Sequence, residues 1–513
     1  MKKKFIAKRF FLKYLFFFSI FFASKISPIK FDKKKRIHWI LKKMIIKNIN
    51  NINQEARFTI IGSGPASISL ALELEKKDID VTMIEAGDLF PNEDNQKLYE
   101  GKNIGDNYFD LDVTRLRCFG GSSQHWAGWC RNLDEYDFND WPISKTDLDI
   151  YLENACEILE IEKKFFSKKI NNEMNQIGFN FSPPVRFNEK YYDHIKNSKK
   201  ISLVLNTSLL KIIGNQDQKV ESIDVFNLNK IKNIGVKNLI LACGGIENSR
   251  ILLWSKNNSN NFLKNINPGH YWMEHPHYEV GNFVGKSKNL KKIINTNFSK
   301  DNYFFLSFNN DFNNLNKIQN NSIRFQYQTN SNFKDQVIYE LSCYGPKFAK
   351  ELFNLFQNNQ ACFYKIKMIW EQIPNLDSKI ILSSSKKDMF DIPRVELNWK
   401  KKINDLNTPL KCLTELGNFF IKNDIGRVGI YDFVQNKSDF PLDDEIGGHH
   451  HMGGTRMGNG LDKYDVVDKN LKVLTTQNLY IAGSSVFRSG GHANPTLTIV
   501  QLSLKLADHL AKL

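Results

Sequence analysis

Residues 58–87 constrain this chain more than any other stretch. Phe58-Thr59-Ile60-Ile61 is a short apolar, β-branched run, the pattern of a strand buried on both faces. Gly62-Ser63-Gly64-Pro65-Ala66-Ser67 follows at once. Ile68, Leu70, Ala71, Leu72 and Leu74 then recur at helical spacing until near Lys77, and Val81-Thr82-Met83-Ile84 reads as a second strand closed by Glu85. The unit is a βαβ fold of about 30 residues with its Gly-x-Gly turn between strand and helix. Gly62 permits the tight turn. Gly64 lets the backbone approach a pyrophosphate, which then sits on the amino end of the helix that opens at Pro65 and Ala66. Glu85 lies 23 residues after Gly62, where a carboxylate accepts hydrogen bonds from an adenosine ribose. Ser67 holds the third glycine position and is still small. The stretch predicts an ADP-containing cofactor and does not separate FAD from NAD.

The chain has 513 residues, enough for two to four domains or two large interleaved ones. Hydrophobic residues are 41% and charged residues 25%, which excludes wholesale disorder. No run approaches about 18 uninterrupted apolar residues, so a polytopic membrane protein is excluded. The net charge of +16 is concentrated at one end. Residues 1–50 carry 15 Lys and Arg against the single acid Asp32, leaving the remainder close to neutral. A basic tail of this kind gives no nucleic-acid groove. Its layout, basic residues and then Tyr14-Leu15-Phe16-Phe17-Phe18-Ser19-Ile20-Phe21-Phe22, is that of an export signal. Lys8-Arg9-Phe10-Phe11-Leu12-Lys13 resembles a twin-arginine signal with Lys8 for the first Arg. Lys33, Lys34, Lys35 and Arg36 oppose translocation from the far flank. Periplasmic export, attachment to an anionic membrane and a cytoplasmic protein all stay open. The seven cysteines are scattered without a close pair and read as small buried hydrophobes.

Two further stretches carry chemistry. Gly120-Gly121-Ser122-Ser123-Gln124-His125-Trp126 is a small-residue turn that can bring backbone N–H groups to a flat ligand, with Trp126 as a wall. The second begins at His449-His450-His451-Met452-Gly453-Gly454-Thr455. Three adjacent histidines point to different sides of any regular backbone, so they do not share one metal, and a single imidazole aimed into a pocket is the better reading. Asn478–Ser485 reads as a strand ending in Gly483 and Ser484. Gly490-Gly491-His492-Ala493-Asn494-Pro495-Thr496 then leads into a helix pattern that continues to Leu513. Asn494 before Pro495 is a good helix start. The helix amino end also offers partial positive charge to an anion that develops on a bound ring. His492 is either a second polar contact or an ordinary loop histidine.

Together with Leu241-Ala242-Cys243-Gly244-Gly245-Ile246-Glu247-Asn248-Ser249, these segments resemble the glucose–methanol–choline (GMC) oxidoreductases over residues 57–513. The motif form is similar to pyranose oxidases, cholesterol oxidases and bacterial sugar dehydrogenases. The resemblance implies an α/β (α+β overall) chain, a Rossmann-like FAD-binding domain with an antiparallel-sheet substrate domain. It implies FAD held by Gly62, Gly64, Pro65, Ala66, Glu85, Gly120, Gly121, Ser122, Ser123, His125, Trp126, Gly483, Ser484, Pro495 and Thr496. The family motif His-x-x-Gly-Thr falls on His451, implied as the base that takes the hydroxyl proton while the alcohol carbon passes hydride to flavin N5. The second family position falls on Asn494, implied to hold the alkoxide oxygen. His125 aligns with a histidine that carries covalent flavin in pyranose oxidases, but Gln124 precedes it where those proteins have Thr.

The implied organisation is a basic tail over 1–50, an FAD domain from 57–145, 200–265 and 445–513, and a substrate domain from 146–199 and 266–444. Leu203–Asn206, Asn238–Ala242, Tyr303–Phe308, Ser322–Gln328, Gln336–Leu341 and Arg394–Trp399 read as strands, and Lys347–Glu371 as a helix. Gly269–His277 reads as a connector between domains, with a pocket lining as the alternative. The expected activity is oxidation of an alcohol, a sugar or polyol first, with oxygen, quinone or cytochrome as the undetermined electron acceptor. A non-redox lyase that retains FAD and a non-catalytic flavin-binding envelope protein are the competing readings.

Overall fold

The computed structural model describes residues 55–259, 261–285, 302–327, 363–442 and 446–513, with single positions 49, 53, 290 and 293. The amino-terminal tail and the expected strand at 336–341 lie outside the described residues. Among the described residues, no helix is long and apolar enough to cross a membrane.

Two sheets organise the molecule. The first has five parallel strands in the order Leu479–Ile481, Leu239–Leu241, Phe58–Ile61, Val81–Ile84, Ile201–Val204. The strands at 58–61, 81–84, 239–241 and 479–481 are buried throughout, as a sheet covered on both faces requires. Helices Pro65–Lys76 and Thr496–Ala511 pack on each other beside it. Their chain separation shows how the sheet gathers the two ends of the described chain.

The second sheet is antiparallel and, among the described residues, eight-stranded. Strands Gly426–Ile430, His277–Gly285, Phe363–Trp370, Asn321–Tyr327, Asn302–Phe308, Met174–Phe181 and Trp129–Cys130 follow one another, and Ser167–Lys169 adds to Met174–Phe181. Its apolar face packs on Leu406, Leu413, Leu416 and Phe420, which bring in helix Asn407–Lys422.

Two elements differ from the sequence reading. Residues 363–370 form a strand, where a helix over 347–371 is expected; residues 347–362 lie outside the described residues. Tyr364, Ile366, Met368 and Trp370 alternate with Lys365, Lys367 and Ile369, and this period of two decides the outcome once a sheet offers partners on both sides. Trp129–Cys130, expected with the dinucleotide segments, pairs with Phe181 and Asn180 of the large sheet.

Candidate active site

A cleft of about 450 Å³ runs along the carboxyl ends of the parallel strands. That is where open α/β sheets bind ligands. Three helices begin at it: Gly64, Pro65 and Ala66 precede or open one, Cys243, Gly244 and Gly245 another, and Asn494, Pro495 and Thr496 the third. Their free N–H groups make the cleft favourable for anionic groups.

The dinucleotide end follows the sequence reading closely. Gly62 has φ of 103°, and a Cβ there would stand 2.5 Å from the Ala242 carbonyl oxygen, so only glycine fits the turn. Glu85 is buried. Its carboxylate accepts from the Ser63 hydroxyl at 2.6 Å and from the Gly87 N–H at 2.7 Å, which tie the turn to the strand end. Burial raises its pKa, partly offset by Ser63, Gly87 and Arg117. Gly121, Ser122, Ser123, His125 and Trp126 line the cleft. Trp126 is fixed by its indole N–H on the Val185 carbonyl at 3.0 Å. Gly120, expected at the cofactor, is not among the lining residues. Its N–H instead donates to the Ser63 carbonyl at 3.0 Å and ties the two turns together. Arg115 and Arg117, which the sequence did not single out as site residues, also line the cleft. Arg115 is held by Glu247 at 3.1 Å and stacks on Tyr99.

A bulky dinucleotide needs open space where the motif leaves side chains out. A Cβ on Gly64, Gly244 or Gly483 would meet nothing within 4 Å, and all three residues line the cleft. The residues present therefore fit FAD.

The other end differs from the sequence reading in one respect. Asn494 is expected to meet His451. Its carboxamide Nδ2 instead donates to Nε2 of His450, at 3.0 Å. The three imidazoles diverge as adjacent side chains must. His450 turns toward Asn494 and His275, with ring centroids 5.1 Å apart in the latter pair. His451 lies near Trp272 at 5.9 Å and Tyr108 at 6.1 Å, and His449 packs on Phe109 at 4.5 Å, while all three histidines line the cleft. The backbone enforces the choice, because the His451 carbonyl accepts from the Ser484 hydroxyl at 2.6 Å. Asn494 does not cap the final helix, which starts at Thr496 with no side-chain cap.

Glu274 anchors this end. Fully buried, it accepts from the Tyr108 hydroxyl at 2.9 Å, the His450 N–H at 2.7 Å and the His275 N–H at 3.0 Å. Burial pushes its pKa up to about 7 against these hydrogen bonds. His275 and His277 line the cleft, so the stretch read first as a connector supplies wall residues. Burial first, then neighbouring imidazoles, holds His450 well below the usual histidine range; burial first, then Arg115 and neighbouring imidazoles, does the same for His451. Both rings are neutral at pH 7. Nε2 of His451 and of His275 are buried without a hydrogen-bond partner.

A cleft at the ends of a parallel sheet, beside a large antiparallel sheet, defines a two-part α/β fold. Residues 374–503 match the family model described as GMC oxidoreductase. The chain is 25% identical over 166 residues to 2-methyl-1,2-propanediol dehydrogenase of Mycolicibacterium austroafricanum, covering 32% of this chain and 28% of that protein. It is 27% identical over 142 residues to the fructose dehydrogenase large subunit of Gluconobacter japonicus, covering 27% of this chain and 23% of that protein. The chain thus spans about a quarter of the length of these relatives. Among solved structures, pyridoxine 4-oxidase from Mesorbium loti superposes with a TM-score of 0.54 at 12% identity, covering 88% of this chain and 99% of that one. That likeness concerns the fold.

Proposed function

We propose that this protein is an FAD-dependent oxidoreductase that oxidises the CH–OH group of a small alcohol, of the diol, polyol or sugar class. The observation that carries the reading is the His450–Asn494 pair at the start of helix Thr496–Ala511, inside the cleft that Gly62–Ala66 also line. FAD held by the three helix starts supplies the two-electron acceptor. Everything else falls to the chain's own side chains.

An amide N–H donating to Nε2 leaves His450 as the tautomer with a bare Nε2, so that atom is a proton acceptor. The two groups converge on one point 3.0 Å apart. An alcohol oxygen entering there receives the Asn494 N–H and gives its proton to His450. Burial keeps the imidazole neutral and thus competent, and the carboxamide offsets charge on the oxygen as the proton leaves. Glu274 holds the His450 backbone in place. His451 retains a claim as the base through the family motif and its unpartnered Nε2. Its ring packs near Tyr108 and Trp272, and the Asn494 carboxamide bonds His450 instead. The diol and sugar relatives direct the substrate choice. Non-covalent FAD is the simpler reading, with His125 exposed beside the cleft and preceded by Gln124.

The test is an anaerobic screen of diols, polyols and sugars against the purified yellow protein. Bleaching by one of them is the expected result. Bound flavin that no alcohol bleaches would favour the lyase or envelope-protein readings. A tagged carboxyl terminus followed through cell fractionation tests whether the basic tail brings the protein to the membrane or periplasm.

A further inference from the structure

His492 is used by nothing described so far, and its surroundings are unlike those of a loop histidine. It is 2% exposed and lines the flavin cleft. Its Nε2 stands 3.1 Å from Oδ2 of Asp134, while its Nδ1 is buried without a hydrogen-bond partner. Asp134 in turn lines a second cavity, of about 400 Å³, walled by Arg131, Asn175, Ser307, Asn309 and Asn320. Its carboxylate also accepts from Arg131 Nη2 at 3.1 Å and Asn320 Nδ2 at 3.2 Å. Burial opposes its ionisation, but Arg131 and His492 hold the carboxyl below its usual range. An ionised carboxylate only accepts hydrogen bonds. Nε2 of His492 therefore carries the proton, and the orphan Nδ1 is an unprotonated lone pair at the cleft wall.

Resting on the functional reading above, we propose that His492, oriented by Asp134, is a second proton acceptor of the cleft, which relieves His450 of the alcohol-derived proton. The balance is simple. One proton leaves His450 Nε2 and arrives at His492 Nδ1. His450 returns to the neutral base, and His492 becomes an imidazolium facing the Asp134 carboxylate. After product leaves, Nδ1 returns the proton to water. His275 links the two in space: its ring lies 5.1 Å from that of His450, and its Nδ1 bonds the carbonyl of Gly491, next to His492, at 2.8 Å. Burial first, and more weakly Arg131, disfavours charge on His492, against the pull of Asp134, so its pKa lies below the usual histidine value; the other titratable groups around the pair are Asp137 and Glu371. Asp137 Oδ2 accepts the Asp134 N–H at 2.8 Å, and Asn320 bonds Asp137 at 2.9 Å. Glu371 accepts the Gly490 N–H at 3.1 Å and helps seat the loop. Burial raises the pKa of both acids, Glu371 to about 7, while Asp134 is held below its usual range, so Asp134 is the acid of the three most firmly ionised. Asp134 is a positioning residue, since it acts through His492.

Asp134→Asn is the discriminating variant, because its carboxamide oxygen keeps the bond from His492 while the charge and the acceptor facing Arg131 are lost. Two readouts on the FAD-loaded protein separate the outcomes. In nitrogen-15 NMR of histidine-labelled protein, His492 should show the Nε2–H tautomer, and Asp134→Asn should weaken its proton affinity about tenfold. In rapid mixing with a bleaching alcohol, single-turnover flavin reduction should be unchanged in Asp134→Asn and His492→Ala. Multiple turnover should fall about tenfold, the low end of general-base effects, and added imidazole should restore it in His492→Ala. An Nδ1–H tautomer, unaltered proton affinity, or unchanged turnover would overturn the proposal. If no alcohol bleaches the wild type, the functional reading fails by itself, and the NMR still decides the His492–Asp134 pairing.

Discussion

The two ends of the cleft are built in contrasting ways. The dinucleotide end comes largely from one continuous stretch, and the groups that set its turns are paired, Glu85 by Ser63 and Gly87, the Gly120 N–H by Ser63, the Trp126 indole by Val185, with Arg117 Nε left buried and unpartnered. The histidine end is assembled from Tyr108, Glu274–His277, His449–His451 and His492–Asn494, far apart in the chain. There the imidazole atoms His275 Nε2, His450 Nδ1, His451 Nε2 and His492 Nδ1 are buried without hydrogen-bond partners. Burying an unpaired polar atom costs about 1–3 kcal/mol. A molecule keeps several such atoms in one place where a ligand completes them. Satisfied groups hold a shape, and unsatisfied ones wait for a substrate or a proton.

That contrast can be broken by substitution. The largest effect belongs to the dinucleotide end. Gly62→Val combines a strained φ with a contact against the Ala242 carbonyl, each costing about 1–3 kcal/mol. The purified variant should carry no flavin absorbance; a yellow, fully loaded variant would contradict the tight-turn argument. At the histidine end, Asn494→Ala should keep the flavin and slow its reduction about 10²-fold, as loss of a donor to a developing oxyanion does. Rapid-mixing absorbance measures it, and loss of flavin instead would make Asn494 a structural residue.

The pH response is a smaller effect. Burial lowers the His450 pKa, so the neutral, competent ring persists below the ordinary value of 6.5. The flavin reduction rate should hold as pH falls through 6.5 and decline only below it, where the ring gains a proton. An acid limb centred at or above 6.5 would show that the base is not a buried imidazole. The smallest effect is Tyr108→Phe, which removes one hydrogen bond to Glu274. It should lower stability by about 1 kcal/mol, seen in thermal melting with flavin retained.

Much of this was legible in the sequence, for physical reasons. The βαβ unit could be read because a strand, a glycine turn and a helix each leave a local signature, and Gly62 has no substitute. The final helix and the small residues at 483 and 484 were readable on the same grounds. The partner of Asn494 was not, because motif spacing ranks three adjacent histidines without saying which way each ring turns. That is set by Ser484 holding the His451 carbonyl and by aromatic packing with Tyr108 and Trp272. Tyr108 and Arg115 carry no motif, and they enter the site only through tertiary contacts. The strand at 363–370 was misread because a short alternation of Lys with apolar residues also fits a helix until neighbouring strands select it.

The claim that His450 rather than His451 takes the alcohol proton is tested most directly by comparing His450→Gln with His451→Gln. Both would be loaded with FAD and mixed anaerobically with a bleaching alcohol. The geometry predicts flavin reduction slowed by about 10²-fold or more in His450→Gln and by less than about tenfold in His451→Gln. Slow reduction in His451→Gln beside near-normal reduction in His450→Gln would contradict it.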